Sequence, residues 1–333
     1  VVTIVCGHQP LPSSLHGASA LIGNFDGMHR GHCGIIRTVV AEAAAHGRSS
    51  LLITFDPHPF QVLRPTAPPM RLLSNQQRSN FAAQLGLDGL VELPFDQQMQ
   101  NMTAESFVTD LLVDRLKIAS ITVGQDFRFG NQRGGDVALL ASLAAAGQYT
   151  LNPLEKLQAS DSPISSSRIR TLISEGLVEA AADLLGRPWS LQGTVVHGSG
   201  RGGDVLGYRT LNLRLGDYLR PRLGVYAVWV SLPGYDKPQA GVANIGVRPT
   251  FTSADGQAEP IVEVHLFDSL ANLYDQAVEV HVMAFLRDEQ RFADADGLRE
   301  QIRHDCIAAQ AALGRNPIPP ATLAASFLSP QSS

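Results

Sequence analysis

The chain has 333 residues, 44% of them hydrophobic and 17% charged, with a formal net charge of −5 at pH 7. That length suits roughly two domains of an ordinary globular protein, and the lack of a basic stripe argues against a nucleic-acid binder. No apolar run approaches the ~18 residues needed to span a bilayer, so a soluble protein with no membrane partner is expected.

From about residue 17 to 155, short apolar runs alternate with longer helical stretches. ASALIGNF reads as a strand, CGIIRTVVAEAAAHG as a helix and SSLLITF as a second strand. NQQRSNFAAQLG (helix), GLVELPF (strand), AESFVTDLLVDRL (helix), ASITVGQDF (strand) and DVALLASLAAAG (helix) continue the alternation. Such a pattern predicts βαβ units, hence a Rossmann-like parallel sheet with helices on both faces. Ligands in such sheets bind beyond the carboxyl ends of the strands.

ISSSRIRTLISEGLVEAAADLLG (164–186) predicts a serine-rich start followed by a helical pair. Beyond GRPW the character changes, which places a domain boundary near residue 187 and gives domains of 1–186 and 187–333. GTVVHGSG, GVYAVWVSL, AGVANIGV, IVEVHLFD and AVEVHVMAFL are short alternating runs between turn residues. They predict a small antiparallel barrel. A terminal amphipathic helix over 295–313 follows, and the remaining tail is expected to be poorly ordered.

Three further features bound the chemistry. Cys6, Cys33 and Cys306 are far apart and odd in number, which fits a reducing cytoplasm rather than a disulfide framework. The first residues lack a basic region followed by an apolar one, so they do not read as a secretory leader. Lysine is scarce (Lys117, Lys156 and Lys237), and GxxxxGK[ST] is absent, which excludes a Walker-type phosphate loop. Any nucleotide phosphate must be held by histidine, arginine, backbone N–H groups or a metal.

IGNFDGMHRGHCG (22–34) is the most informative stretch. A strand runs into an Asp26-Gly27 turn, and His29 and His32 then flank Gly31 where a helix begins. A helix start favours anions, and residues three apart share a face. Gly31 would let a ligand approach the backbone. The pattern suits an ATP lying across the helix start, with both imidazoles donating to oxygens that gain charge as pyrophosphate leaves. Histidines at this spacing also serve as metal ligands or sit idle on a surface, but no third ligand cluster lies near them and HExxH is absent.

GNFDGMHRGH resembles the HxGH nucleotidyltransferases, and more closely the GxFDGxHxGH form of prokaryotic bifunctional riboflavin kinase/FAD synthetases. The resemblance continues in order through TFDPHP (54–59), VGQDFRFG (123–130), ISSSRIR (164–170), GTVVHGSGRGGDVLGYRTLNL (193–213), GVYAV (224–228), ANIGVRPTF (243–251) and VEVHLFD (262–268). It covers nearly the whole chain.

In the first domain the resemblance implies ATP over His29 and His32, with Gly23, Asn24, Asp26 and Gly31 beside the phosphates. Ser165, Ser166 and Arg168 would close over the pyrophosphate. SSSR alone also fits a simple capped surface helix. Pro57, His58 and Pro59 would form a wall for the isoalloxazine ring, and Asp126 would help to hold flavin or nucleotide. Phe127 and Phe129 fit a core role equally well.

In the second domain Gly198, Gly200 and Gly202 belong to a glycine-rich loop suited to wrapping phosphates. The resemblance makes Thr210 and Asn212 holders of Mg²⁺ and phosphate, and Glu263 the base that takes the proton from the ribityl 5′-hydroxyl. Glu263 alone also fits a solvated strand carboxylate. Two departures stand out: the family's PTAN segment reads RTLN, and its LYG turn reads LYDQ, with Asp275 at the glycine position.

The expected activity is therefore FAD biosynthesis at two sites: riboflavin phosphorylation by ATP and Mg²⁺, then adenylyl transfer from ATP to FMN. An alternative keeps adenylylation alone, with a degenerate kinase module that binds flavin. Other HxGH adenylyltransferases leave the second domain unexplained, and a non-enzymatic flavin carrier leaves His29, His32 and Arg168 without a purpose. Oligomeric state is not legible.

Overall fold

The computed structural model describes residues 2–145, 147–154, 158–159, 162–196, 210–252, 258–268 and 273–315. The chain forms two compact units, Val1–Ala67 with Asn75–Ser165, and Pro68–Ser74 with Ser166–Ser333.

The first unit holds strands β1 (Thr3–Cys6), β2 (Ser19–Ile22), β3 (Ser50–Asp56), β4 (Gly89–Pro94), β5 (Ser120–Gly124) and β6 (Thr150–Leu154). They form one parallel sheet in the order β1-β4-β3-β2-β5-β6. The central strands are mostly apolar because both of their faces are covered: every residue of β2 is buried, as is Ser50–Thr54 of β3. The edge strands β1 and β6 carry more exposed residues and had no clear sequence signature. From β2 the chain steps outward through β3 and β4 on one side and through β5 and β6 on the other. The order therefore reverses between β2 and β5, the place beyond the strand ends where ligands of such sheets bind.

Helix α1 (Arg30–Ala45) follows β2, burying Ile36, Val39 and Ala43 at helical spacing. Short helices α2 (Pro59–Leu63), α3 (Asn75–Gln84) and α4 (Gln97–Asn101) come next. The helix expected over 104–116 begins as a single α turn, α5 (Ala104–Ser106), and continues as a π-helix over Phe107–Arg115. The wider turn brings Phe107, Val108, Leu111 and Leu112 all into the core. Helix α6 (Val137–Ala144) is capped by Asp136, which accepts from the Leu139 N–H. Two-residue strands β7 (Gln158–Ala159) and β8 (Ser162–Pro163) end the unit.

The second unit holds helices α7 (Ser166–Ser174) and α8 (Val178–Leu185), strands β9 (Trp189–Thr194), β10 (Thr210–Arg214), β11 (Gly224–Ser231), β12 (Gln239–Thr252), β13 (Ala258–Leu266) and β14 (Ala277–Arg287), and helix α9 (Ala295–Arg315). The antiparallel sheet runs β10-β13-β12-β11-β14-β9. Just past β9, Val196 pairs with Asn212 of β10, its N–H donating at 2.8 Å, so the strand order closes on itself as a barrel. Helix α9 lays Ala309, Ala312 and Leu313 against Val225, Ala227, Val242 and Ala284.

The segment Pro68–Ser74 packs with this barrel although it precedes it by more than a hundred residues. Arg71 pairs in parallel with Tyr218, the Leu72 carbonyl accepts from Trp189 Nε1 at 2.9 Å, and Ser74 Oγ donates to Gln192 Oε1 at 2.7 Å.

Candidate active sites

The loop between β2 and α1 opens at the reversal of strand order. Phe25 and Met28 adopt φ of 46° and 42°, a left-handed conformation that side chains rarely take, and Gly27 sits between them at 88°. Two such non-glycine residues cost on the order of 1–3 kcal/mol each. Tethers hold them: Thr54 Oγ1 donates to the Asn24 carbonyl at 3.1 Å, and Cys33 Sγ to the Met28 carbonyl at 3.3 Å. Burial of Phe25, Asp26 and Met28 does the rest.

His29 is the N-cap of α1. Its Nδ1 accepts from the His32 backbone N–H at 3.2 Å. A neutral imidazole accepting at Nδ1 carries its proton on Nε2, so this cap leaves the second nitrogen as the donor. The rings of His29 and His32 stack with centroids 3.6 Å apart, and Phe25 tilts against His32 at 4.8 Å. The expectation that the pair shares one face is met.

Gly31 serves the pair directly. A Cβ there would stand 3.1 Å from His29 Nδ1 and 3.2 Å from Cε1, so the glycine makes room for the imidazole. Gly23 does the same for the Phe25 ring, which a Cβ would meet at 3.0 Å. Phe25 itself escaped sequence reasoning, although it sits inside the quoted motif.

The other expected residues of this unit fall at neighbouring strand ends. Pro57, His58 and Pro59 leave β3, which runs beside β2. His58 caps the short helix α2 by accepting from the Phe60 N–H at 3.2 Å, and Pro57 is exposed. Asp126 is exposed just past β5, on the other side of the reversal. Phe129 is buried in the core and Phe127 packs against it, so the core reading of both rings holds. Ile164 lies 3.9 Å from where a Gly31 Cβ would be, which brings the neighbouring Ser165 to the α1 start. Ser166 opens α7 in the second unit, and Arg168 is exposed on its first turn.

In the barrel, Asn212 of β10 stands directly opposite Glu263 of β13, and Glu263 in turn opposite Asn244 of β12. Directly opposed residues share a face of the sheet. Thr210 is two residues from Asn212 and so lies on that face as well, opposite His265. Asn212 is buried, and its Nδ2 donates to the Thr210 carbonyl at 3.4 Å, which turns its Oδ1 the other way. Asn244 was not singled out from the sequence; its Nδ2 donates to Glu289 Oε1 at 3.3 Å.

Leu211 and Asp275 are both accommodated. Leu211 alternates to the opposite face of β10, where it pairs with Val264, so its bulk is not on the Thr210–Asn212 side. Asp275 takes φ 61°, the conformation a glycine would supply there; aspartate is among the few side chains that tolerate it. Its N–H donates to the Val195 carbonyl at 3.0 Å. Gly198, Gly200, Gly202 and Arg209 lie outside the described residues, as does the tail beyond residue 315.

Similarity to known proteins agrees with this picture. A family described as FAD synthetase matches residues 11–168, and one described as riboflavin kinase matches residues 185–313. The bifunctional riboflavin kinase/FMN adenylyltransferase of Escherichia coli (strain K12) is 35% identical over 307 residues, covering 92% of this chain and 96% of the relative. The chain belongs to that bifunctional family.

Its counterpart from Pseudomonas fluorescens is 36% identical over 308 residues, 92% of this chain and 97% of that one. The crystal structure of a protein described as a macrolide-efflux protein from Streptococcus pneumoniae is 27% identical, with a TM-score of 0.78 over 95% of this chain and 99% of that chain. Among the described residues, no helix is long and apolar enough to cross a membrane.

Proposed function

We infer that this chain makes FAD in two steps, phosphorylating riboflavin to FMN in residues 187–333 and adenylylating FMN in residues 1–186, with ATP the donor in both. The observation that carries the reading is the pairing of Asn212 with Glu263 in one chain with the capped, stacked His29–His32 pair. No finding favours a degenerate kinase.

In adenylyl transfer, the α-phosphate of ATP lies against the start of α1, and the Nε2–H donors of His29 and His32 face its oxygens. Charge grows on the bridging and leaving oxygens as FMN attacks, and fixed donors stabilise it without reorganising. The N-cap bond keeps the His29 donor aimed. Ser165, whose neighbour Ile164 approaches Gly31, adds a hydroxyl donor for the departing pyrophosphate. Pro57, His58 and Pro59 form a rigid wall for the flavin ring, and Asp126 contacts flavin or nucleotide from the β5 side.

In the kinase, Glu263 accepts the proton of the ribityl 5′-hydroxyl, the role a carboxylate commonly takes beside a substrate hydroxyl. Thr210 and Asn212 offer a hydroxyl and an amide oxygen on one strand face, hard neutral ligands of the type Mg²⁺ takes alongside phosphate oxygens. An ion held there would neutralise phosphate charge. The three cysteines are unpaired by disulfide, which suits a cytoplasmic enzyme acting on small molecules.

The test is a double dissociation. His29→Ala should abolish FAD formation from FMN while FMN formation from riboflavin continues; Glu263→Gln should do the reverse. Loss of both activities in either variant would contradict two separate sites.

A further inference from the structure

Four polar side chains of the first unit form a chain that ends at the proposed flavin wall. Helix α3 is unusually polar, NQQRSNFAAQ, yet it buries Arg78 within the fold. Arg78 Nη2 donates to Glu92 Oε1 of β4 at 2.6 Å, and its Nε reaches the same oxygen at 3.2 Å. The same Nη2 donates to Asn75 Oδ1 at 2.8 Å. Asn75 Nδ2 then donates to Asp56 Oδ2 at 2.9 Å. Asp56 is the last residue of β3 and directly precedes Pro57, His58 and Pro59.

Each link dictates the next. The guanidinium can only donate, so it takes the oxygen end of the Asn75 amide and turns the NH₂ toward Asp56. Asp56, an acceptor, is then held at one carboxylate oxygen. A buried arginine–carboxylate pair adds little net stability compared with an apolar substitute, but it specifies geometry narrowly. Here the geometry specified is that of the strand end from which the Pro57–Pro59 turn departs.

We propose that Arg78 and Asn75 are positioning residues for the flavin subsite of adenylyl transfer, acting through Asp56 on the Pro57–His58–Pro59 wall without touching substrate. The proposal rests on the reading of that turn as the flavin wall. A displaced wall weakens flavin binding and leaves the ATP contacts at α1 unchanged.

The test uses the full-length enzyme with Asn75→Ala, Asn75→Asp and, in parallel, His58→Ala. Asn75→Asp keeps an acceptor for Arg78 but sets a carboxylate against Asp56, so it should disturb the wall at least as much as alanine. Both Asn75 variants should raise the KM for FMN about tenfold, with the KM for ATP within twofold, riboflavin phosphorylation unchanged and thermal stability kept. Arg78→Lys, which keeps the charge but loses the fork, should act in the same direction.

An unchanged KM for FMN in the Asn75 variants, while His58→Ala raises it, would overturn the relay and leave the wall standing. An unchanged KM in all of them would remove the wall and the proposal together. Equal losses for FMN and ATP, or loss of fold, would make the network structural only and would also overturn the proposal.

Discussion

Gly31→Ala separates the geometry of the histidine pair from the stability of the fold. Gly31 lies in the first turn of α1 with no left-handed φ, so its backbone accepts alanine. Alanine gains about 0.8–1 kcal/mol of helix propensity over glycine. Against this, its Cβ would sit 3.1 Å from His29 Nδ1 and 3.2 Å from Cε1, several tenths of an ångström inside ordinary contact. The ring must move, and the atom crowded is the one that accepts from the His32 N–H at 3.2 Å. Losing that cap costs roughly 0.5–2 kcal/mol, so the two effects nearly cancel and the melting temperature should move by only a few degrees. Catalysis has no such compensation, because misplacing a group by about 1 Å can cost on the order of 10²-fold. FAD formation from FMN should fall about 10- to 100-fold, with riboflavin phosphorylation unchanged. Chromatographic separation of the flavin products and a thermal melt on the same preparation decide the matter. FAD formation within twofold of the unsubstituted chain would refute the view that Gly31 exists to seat His29.

Glu263→Gln keeps the size of the residue opposite Asn212 but removes its basicity, so FMN formation should fall by at least ~10²-fold, the usual scale of base catalysis, while supplied FMN is still adenylylated; product chromatography checks both. Asp275→Gly should be tolerated, with kinase activity within about twofold and thermal stability equal or slightly higher, because φ 61° suits glycine better than aspartate; a large loss would give Asp275 a role beyond the turn. Burial holds the His281 imidazole below its ordinary range, against the pull of the Glu279 carboxylate and with Arg187 nearby, and its Nε2 lies 2.9 Å from Ser231 Oγ. Its folded pKa is depressed, so the stability tied to the neutral ring is complete above the unfolded value of ~6.5 and declines as pH falls below it, by at most ~1.4 kcal/mol per pH unit. Melts from pH 8 to 5 should show that decline, and His281→Gln should flatten it.

Much of this molecule was legible from its residues, for physical reasons. Buried parallel strands such as Leu51–Ile53 must be apolar on both faces, and α1 must repeat its apolar residues at helical spacing, so those elements announced themselves. The barrel strands did so by alternation. The histidine pair was legible because strand, turn and helix start follow one another within a dozen residues. What was hidden lies in tertiary pairings that leave little local trace. Nothing local marks Pro68–Ser74 as part of the barrel unit, since its bonds to Tyr218, Trp189 and Gln192 span more than a hundred residues. Strand β10 was read as a ligand segment and not as a strand, because its short Thr-Leu-Asn-Leu run carries too few residues to show a period. Asn75 and Arg78 sit in a helix whose polar sequence gives no sign of the buried ion pair with Glu92 that holds it against the sheet.

The most direct measurement is incubation of the purified chain with riboflavin, ATP and Mg²⁺, followed by separation of the flavins over time. FMN should appear first and FAD after it, and FAD should also form from FMN supplied alone. FAD from FMN with no product from riboflavin would contradict a working Thr210–Asn212–Glu263 site. FMN from riboflavin with no FAD from either substrate would contradict the role given to His29 and His32.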